Sequence, residues 1–351
     1  MFRKYFSKFS NDIGIDLGTT NTLVSISGEG IVINEPSVVA INNKTNKIVA
    51  IGIEAKNMMG RTPEHIDIIR PIIDGVISDY EVTEEFLSYL INKANNINKK
   101  FLRPRVVIGI PVGVTDVEIK AVEDAARSAG AGEVYIIEEP AAAAIGMGLS
   151  VHTPKGSMIV DIGGGTTDIA ILSLSGIVRR KSLKIAGDKM NQDLITYIKT
   201  HYKMLVGEKT AEEIKIEIGS ALPDDYGHKD MAVKGRDLVT GLPKEVLIDE
   251  ADIREAVSPS LYQIIEAIKE ILEVSPPEVL GDILNEGIIL TGGGGLIKNI
   301  DKLFESELKV YTRISENPLT DVAKGAETVL TNMDKHREFL IKDSKEIPLI
   351  D

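Results

Sequence analysis

Two stretches of this chain repeat one pattern: apolar strand, acidic residue, Gly/Thr turn, second apolar strand. Residues 12–24 read DIGIDLGTTNTLV and residues 158–171 read MIVDIGGGTTDIAI. Ile13, Ile15, Leu23 and Val24 flank the first turn, and Ile159, Val160, Ile169 and Ile171 flank the second. Aliphatic runs on either side of a short turn predict two buried hairpins. A repeat of this kind, each copy opening an α/β unit, implies a duplicated domain with two related lobes.

The sequence between and after the copies predicts alternating strands and helices. RVVIGI (105–110) is an apolar strand ended by Pro111, and Thr115 with Glu118 forms a capping-box pattern that starts a helix running to Gly130. VYII (134–137) is the next strand and Ala141 to Gly148 the next helix. Later, GIILT (287–291) leads through Gly292–Gly295 into a helical stretch from Leu296 towards Phe304. This alternation predicts α/β layers on a mostly parallel sheet.

Composition narrows the function. The 351 residues suffice for two sizeable cores. There is no Cys, which excludes disulfides, thiolate catalysis and zinc ribbons, and the five His include no H-x-x-x-H pair. A formal net charge of −13, from 40 basic and 53 acidic residues, argues against nucleic acid as the partner. No apolar run reaches the roughly 20 residues that span a bilayer. Arg3, Lys4 and Lys8 interrupt any signal-peptide core, so the expected location is the cytoplasm.

The turns carry the candidate chemistry. Clustered backbone N–H groups of a Gly/Thr turn make an anion cradle, to which Thr hydroxyls add donors. An Asp just before such a turn repels phosphate directly but can hold it through Mg²⁺ and its waters. Asp16 and Asp161, with the two hairpins, therefore describe a clamp for a Mg-nucleotide. The chain has no G-x-x-x-x-G-K-[ST], and no G-x-G-x-x-G between a first strand and a helix, so neither a P-loop nor a dinucleotide fold is supported. The run Thr291–Gly295 falls at an expected strand-to-helix turn, where bare backbone and a helix N-terminus favour an anionic ligand. Alone, DLGTT reads as an ordinary hairpin turn and GGGG as a loop; the ordered set carries the signal.

That set, DLGTTNT (16–22), IEEPAAAA (137–144), DIGGGTTD (161–168) and TGGGG (291–295), resembles the sugar-kinase, heat-shock-70 and actin superfamily. NEPSVVAI (34–41), AKNMMGRTPEHI (55–66), RPIIDGVISDY (70–80), RPRVVIGIPVGVTDVE (103–118), AEEIKIEIGSA (211–221) and LTDVAKGAE (319–327) resemble the MreB family of bacterial actin-like ATPases within it. The resemblance covers about residues 11–332. It implies an α/β, actin-like ATPase fold: two duplicated ribonuclease-H-like lobes, a nucleotide cleft between them, and a smaller subdomain inserted in each. On this chain subdomain IA would be 11–33 and 75–152, IB 34–74, IIA 153–188 and 252–330, and IIB 189–251. A membrane-binding segment would occupy 1–10 and a C-terminal tail 331–351.

The resemblance also implies residue roles. Gly18, Thr19, Thr20 and Asn21 would hold the phosphates of ATP or ADP from one lobe, and Gly163, Gly164, Gly165 and Thr167 from the other. Asp16 and Asp161 would position hydrated Mg²⁺. Glu139 would orient the attacking water and Thr166 would hold it from the opposite side, with Glu138 a solvated or salt-bridged acid. Glu212 and Lys215, three apart on a predicted helix, are either a surface ion pair or a grip on the ribose hydroxyls. Gly292, Gly293 and Gly294 would pack against the adenosine and α-phosphate. Thr20 stands where the family commonly has Ala, and Gly295 where it has Ser or Ala; all are small.

At about 100° per residue, Phe2, Tyr5, Phe6 and Phe9 share one sector opposite Arg3, Lys4, Ser7 and Lys8. That is a basic amphipathic helix suited to an anionic membrane surface, with a strand or unstructured tail as the other reading. Asn11 and Asp12 would separate it from the first strand. KKFLRPR (99–105) sets Phe101 and Leu102 among four basic residues in an expected loop, a second membrane contact. Many weak anchors along a polymer bind by avidity. The implied protein is an ATPase that polymerises into membrane-associated filaments of paired protofilaments, on the inner face of the cell membrane. These would determine or maintain cell shape, with cell-shape or cell-wall-synthesis membrane proteins as partners. A small-molecule kinase or a chaperone-type ATPase of the same superfamily is the alternative; the inserts show no sugar pocket of polar and aromatic residues, and no peptide-binding domain follows residue 332. The tail from Asp334 reads as a terminal helix on the first lobe or as a partner-binding extension.

Overall fold

The computed structural model describes residues 10–98, 102–223 and 229–341. Two five-stranded sheets dominate it. The first has the order Glu133–Glu138, Leu102–Ile110, Ser10–Leu17, Asn21–Ile26, Gly30–Pro36. The second has the order Thr312–Ile314, Ile288–Thr291, Ser157–Ile162, Thr167–Ser173, Gly176–Leu183. Taken in these orders, the first two pairings of each sheet are parallel and the last two antiparallel. The duplication is therefore complete at the level of topology. The sheets are half antiparallel instead of mostly parallel, because each Gly/Thr hairpin folds straight back and a third strand folds back on it.

Local chemistry explains most element ends. Thr115 and Glu118 exchange the two bonds of a capping box, with Thr115 N–H donating to Glu118 Oε2 at 2.8 Å, and the helix Asp116–Ser128 follows. The helix after the strand Glu133–Glu138 begins at Glu139, not at Ala141. Pro140 in its first turn lacks an N–H that would have no partner there, so the helix extends back to the acid. The glycine run behaves differently from expectation. Gly293–Leu296 is a 3₁₀ turn and the α-helix starts only at Ile300, so no α-helix N-terminus stands at the run. Consecutive glycines are too costly in chain entropy to hold an α-helix.

Each lobe carries a small antiparallel sheet. In the first, Val39–Asn42 lies between Lys47–Ile51 and Ile66–Ile69. The expected insert boundary at 34 falls inside the strand Gly30–Pro36, which belongs to the large sheet. In the second, Asp230–Asp237 lies between Met204–Leu205 and Pro243–Asp249. Asn11 and Asp12 do not separate segments; both lie within the strand Ser10–Leu17. The described part of the tail packs on the first lobe through a short helix, Met333–His336, and a 3₁₀ turn, Arg337–Phe339. Phe339 and Leu340 are buried there, and Ile341 N–H donates to Ile136 O at 2.9 Å. Among the described residues no helix is long and apolar enough to cross a membrane.

The lobes meet around two helices, Glu139–Gly146 and Asp321–Thr331. Ala141–Ile145, Val322, Ala326 and Val329 share one buried cluster with Val107 and Ile137 of the first sheet and Ile159, Leu172 and Ile289 of the second. The crossing is backbone to backbone: a Cβ on Gly325 would lie closer than 3.0 Å to the Ala142 carbonyl, and one on Gly146 equally close to that of Asp321. Substitution Gly325→Val must push the helices apart. A loss of about 1–3 kcal/mol, read as a lowered thermal midpoint, is the expected result; an unchanged midpoint would show that the crossing tolerates separation.

Candidate functional site

Each Gly/Thr turn is fixed from behind. Ser37 Oγ donates to Gly18 O at 2.6 Å and lies 2.9 Å from Thr22 Oγ1, while Ser37 N–H donates to Thr20 O. Thr19 Oγ1 accepts from Gly75 N–H at 3.1 Å. In the second turn Gly163 N–H donates to Thr166 O at 2.9 Å. The carbonyls of Gly163 and Gly164 accept from Gly187 N–H and Asp188 N–H, at the start of the helix Gly187–His201. The turns face each other closely. A Cβ on Gly164 would fall within 3.0 Å of Thr20 Oγ1, and one on Gly165 within 3.0 Å of Thr19 Oγ1.

Four carboxylates converge beside these turns: Asp16, Glu139, Asp161 and Asp168. Glu139, Asp161, Thr166 and Asp168 are each at most 8% exposed. Burial pushes Asp16 up to about 7. Glu139 is held well above the usual carboxylate range, first by burial and then by the charges of Asp168, Asp16 and Asp161. Asp161 is raised in the same way, by burial and by Asp16, Asp168 and Asp321. Burial raises Asp168 to about 6, against hydrogen bonds from Ser182, Thr166 and, at 3.0 Å, Val112 N–H. The charges acting on Glu139 and Asp161 are thus acidic, and every one of them favours the protonated form.

Mg²⁺ is the ion implied by the resemblance. Among the described residues no group of three or more His, Asp or Glu side chains is placed to hold a metal directly. Asp16 and Asp161 fit a hydrated cation instead, since a divalent charge reverses the desolvation and repulsion that hold their protons on.

Other expected residues are placed as follows. Glu138 pairs with Arg180, the salt-bridged reading. Asn21 is exposed at the start of its strand. Thr167 is corrected: it is fully buried in its strand and its hydroxyl donates to Ile185 O at 2.6 Å, so it is not free for phosphate. Gly292 has φ +80°, and a Cβ there would run into Asp161 Oδ1, so the glycine run backs directly onto that acid. Gly293 is exposed and Gly294 is buried against Ile162. Glu212 pairs at 3.5 Å with Lys56 of the first lobe, while Lys215 donates to Gly187 O at 2.8 Å. Phe2, Tyr5, Phe6, Phe9 and Phe101 lie outside the described residues. Leu102 opens a strand instead of sitting in a loop, and Arg105 is engaged with Asp12, its Nε 2.9 Å from Oδ1, so it is not free for a lipid head.

Sequence reasoning gave no role to Asp168, Arg70 or Lys56. Asp168 closes the quoted DIGGGTTD motif, and the other two lie inside the MreB-like stretches. Arg70 reaches across to Asp188 at 2.8 Å and to Glu208.

A family model described as MreB/Mbl protein matches residues 10–338. The chain belongs to the MreB/Mbl family. It is 48% identical over 327 residues to the cell shape-determining protein Mbl of Bacillus subtilis, covering 93% of this chain and 98% of that one. To the cell shape-determining protein MreB of Escherichia coli it is 46% identical over 342 residues, covering 96% and 98%. The crystal structure of MreB5 of Spiroplasma citri bound to ADP matches this MreB/Mbl chain with a TM-score of 0.89 at 39% identity, over 94% of this chain and 98% of that one. The AMPPNP-bound crystal structure of the same protein gives 0.88 at 40% identity, again over 94% and 98%. The actin-like fold extends to the MamK double helical filament, with a TM-score of 0.77 at 23% identity over 92% of this chain and 99% of that one.

The raised Asp16 gives a sign that can be tested. Unfolded, it titrates near 3.8; folded, near 7. A raised folded pKa means that stability is greatest below the unfolded value and falls as pH climbs between the two. Without nucleotide or divalent cation, Asp16→Asn should raise the thermal midpoint at pH 8 by several degrees, and the gain should shrink as pH falls from 7 towards 4. A gain that does not vary with pH would contradict the assignment.

Proposed function

We propose that this MreB/Mbl chain binds ATP with Mg²⁺ between its lobes, hydrolyses it, and polymerises into membrane-associated filaments that determine or maintain cell shape. The observation that carries the reading is the convergence, in one cleft, of two Gly/Thr turns and the carboxylates of Asp16, Glu139 and Asp161. The ADP and AMPPNP complexes of Spiroplasma citri MreB5 support a nucleotide as the ligand. The names of the Mbl and MreB relatives support the cellular role.

In this reading Gly18–Asn21 and Gly163–Gly165 hold the phosphates, and Gly292–Gly294 flank the nucleoside. Lys215 and Glu212 line the ribose side. The Mg²⁺ ion supplies charge neutralisation at the phosphates. Glu139 orients a water and accepts its proton, for which burial and the neighbouring acids make it a stronger base than an ordinary carboxylate. Thr166 holds the same water, its hydroxyl steadied by Asp168. The subdomain division is proposed as in the sequence, with the first insert starting after Pro36. Filaments of paired protofilaments would lie on the cytoplasmic face of the membrane, anchored by Phe2, Tyr5, Phe6 and Phe9 with Phe101 and Leu102, alongside cell-shape or cell-wall-synthesis membrane proteins.

High-speed pelleting with Mg-ATP, with Mg-ADP and without nucleotide, combined with phosphate release, tests this. Nucleotide-dependent pelleting is expected, with Glu139→Ala lowering phosphate release by about 10²–10³-fold. A chain that binds ATP yet stays in the supernatant at every concentration overturns the filament reading. Undiminished release in Glu139→Ala overturns the assigned base.

A further inference from the structure

The cleft is closed differently at its two ends. At the base, the helices Glu139–Gly146 and Asp321–Thr331 join the lobes by apolar packing and backbone contact. Between the inserts, the described contacts are largely ionic. Arg70 follows the strand Ile66–Ile69 and forks towards two acids of the second lobe, with one guanidinium nitrogen 2.8 Å from Asp188 Oδ2 and the other on Glu208. Both acids stand in the first turn of a helix, Gly187–His201 and Glu208–Ile218. Asp188 also accepts on its other oxygen from Thr20 Oγ1 of the first turn, at 3.4 Å. Lys56 adds its pair with Glu212.

This end is not packed like a core. The Arg70, Asp188 and Glu208 side chains are 23%, 25% and 32% exposed, so the pairs are open to salt. Behind Asp188 on the same helix, Asn191 is 3% exposed, and its Oδ1 has no hydrogen-bond partner among the described residues. It lines a cavity shared with Lys56, Arg70 and Glu212. The cavity is open space between the two inserts, beside the ionic contacts.

We infer that Arg70 of the first insert, with Asp188 at the border of the second insert and Glu208 within it, is an ionic gate across the cleft that sets how fast nucleotide enters and leaves. The inference rests on the nucleotide reading above. Without Arg70, two carboxylates of one lobe face the other lobe with no fork to bridge them, while the base of the cleft stays joined, so the inserts swing apart. Asp188 links the gate to the phosphate turn, because one of its oxygens holds Arg70 and the other Thr20. A lysine cannot span both acids as the planar fork does.

Release of a fluorescent methylanthraniloyl-ADP from the full chain, chased with unlabelled ADP, tests it. Arg70→Gln should speed release about tenfold, and Arg70→Lys should only partly restore the slow rate. Asp188→Asn combined with Glu208→Gln should give the same acceleration, with no further gain on adding Arg70→Gln. Added salt should speed release from the wild type and have much less effect on Arg70→Gln. A second measurement needs no nucleotide. The chain has no Cys, so spin labels at Ile53→Cys and Ile216→Cys, both exposed, report the distance between the inserts. Arg70→Gln should widen that distance distribution. If the wild type binds no nucleotide at all, the nucleotide reading fails, and the spin labels still decide whether Arg70 holds the inserts together. Unchanged release, or an unchanged distance distribution alongside a lowered thermal midpoint, overturns the gate and leaves Arg70 a purely structural residue.

Discussion

The architecture depends on one close crossing, that of the helices Glu139–Gly146 and Asp321–Thr331 between the two large sheets. Their backbones approach so nearly that Gly146 and Gly325 admit no side chain. The crossing buries residues from both sheets in one cluster and therefore joins the lobes. It also sets the site, because Glu139 and Asp321 are the first residues of the two helices. Thr291 ties the second of these to the glycine run through a 2.9 Å bond to Asp321.

Bringing both lobes this close has an electrostatic consequence. Asp16 comes from the first sheet, Asp161 and Asp168 from the second, and Glu139 from the helix between them. None is unusual in its own strand or helix, but together they desolvate and repel one another. The folded chain thus holds unfavourable negative charge at the point where a cation and phosphates would bind, and this is a site prepared for a ligand at some cost to the empty protein's stability. The ionic contacts between the inserts act in the opposite sense. They hold the cleft closed with interactions weak enough to open.

Much of this was legible in the chain. The two Gly/Thr hairpins, the capping box at Thr115 and Glu118, and the matching places of Asp16 and Asp161 at the end of the first strand of each hairpin all follow from local signals: β-branched runs, turn residues and acids at fixed offsets. The differences have two origins. The extension of a helix back to Glu139 and the 3₁₀ turn at Gly293–Leu296 come from local backbone chemistry, Pro140 in a first turn and the chain entropy of consecutive glycines, whereas the strand position of Leu102 depends on its pairing with Ser10. Thr167 sits in a turn motif by sequence, yet the register of its strand spends its hydroxyl on Ile185.

The sequence by itself determined the duplication, the hairpins and the identity of the acids, because strand periodicity, turn chemistry and helix capping act over a few residues. Only the tertiary structure decided which groups meet. Asp168 comes to act on Glu139, 29 positions away in the chain (168 minus 139), and Arg70 spans 118 positions to Asp188. No local pattern encodes such contacts, since their energy comes from burial and charge that exist only once both lobes have closed on the crossed helices.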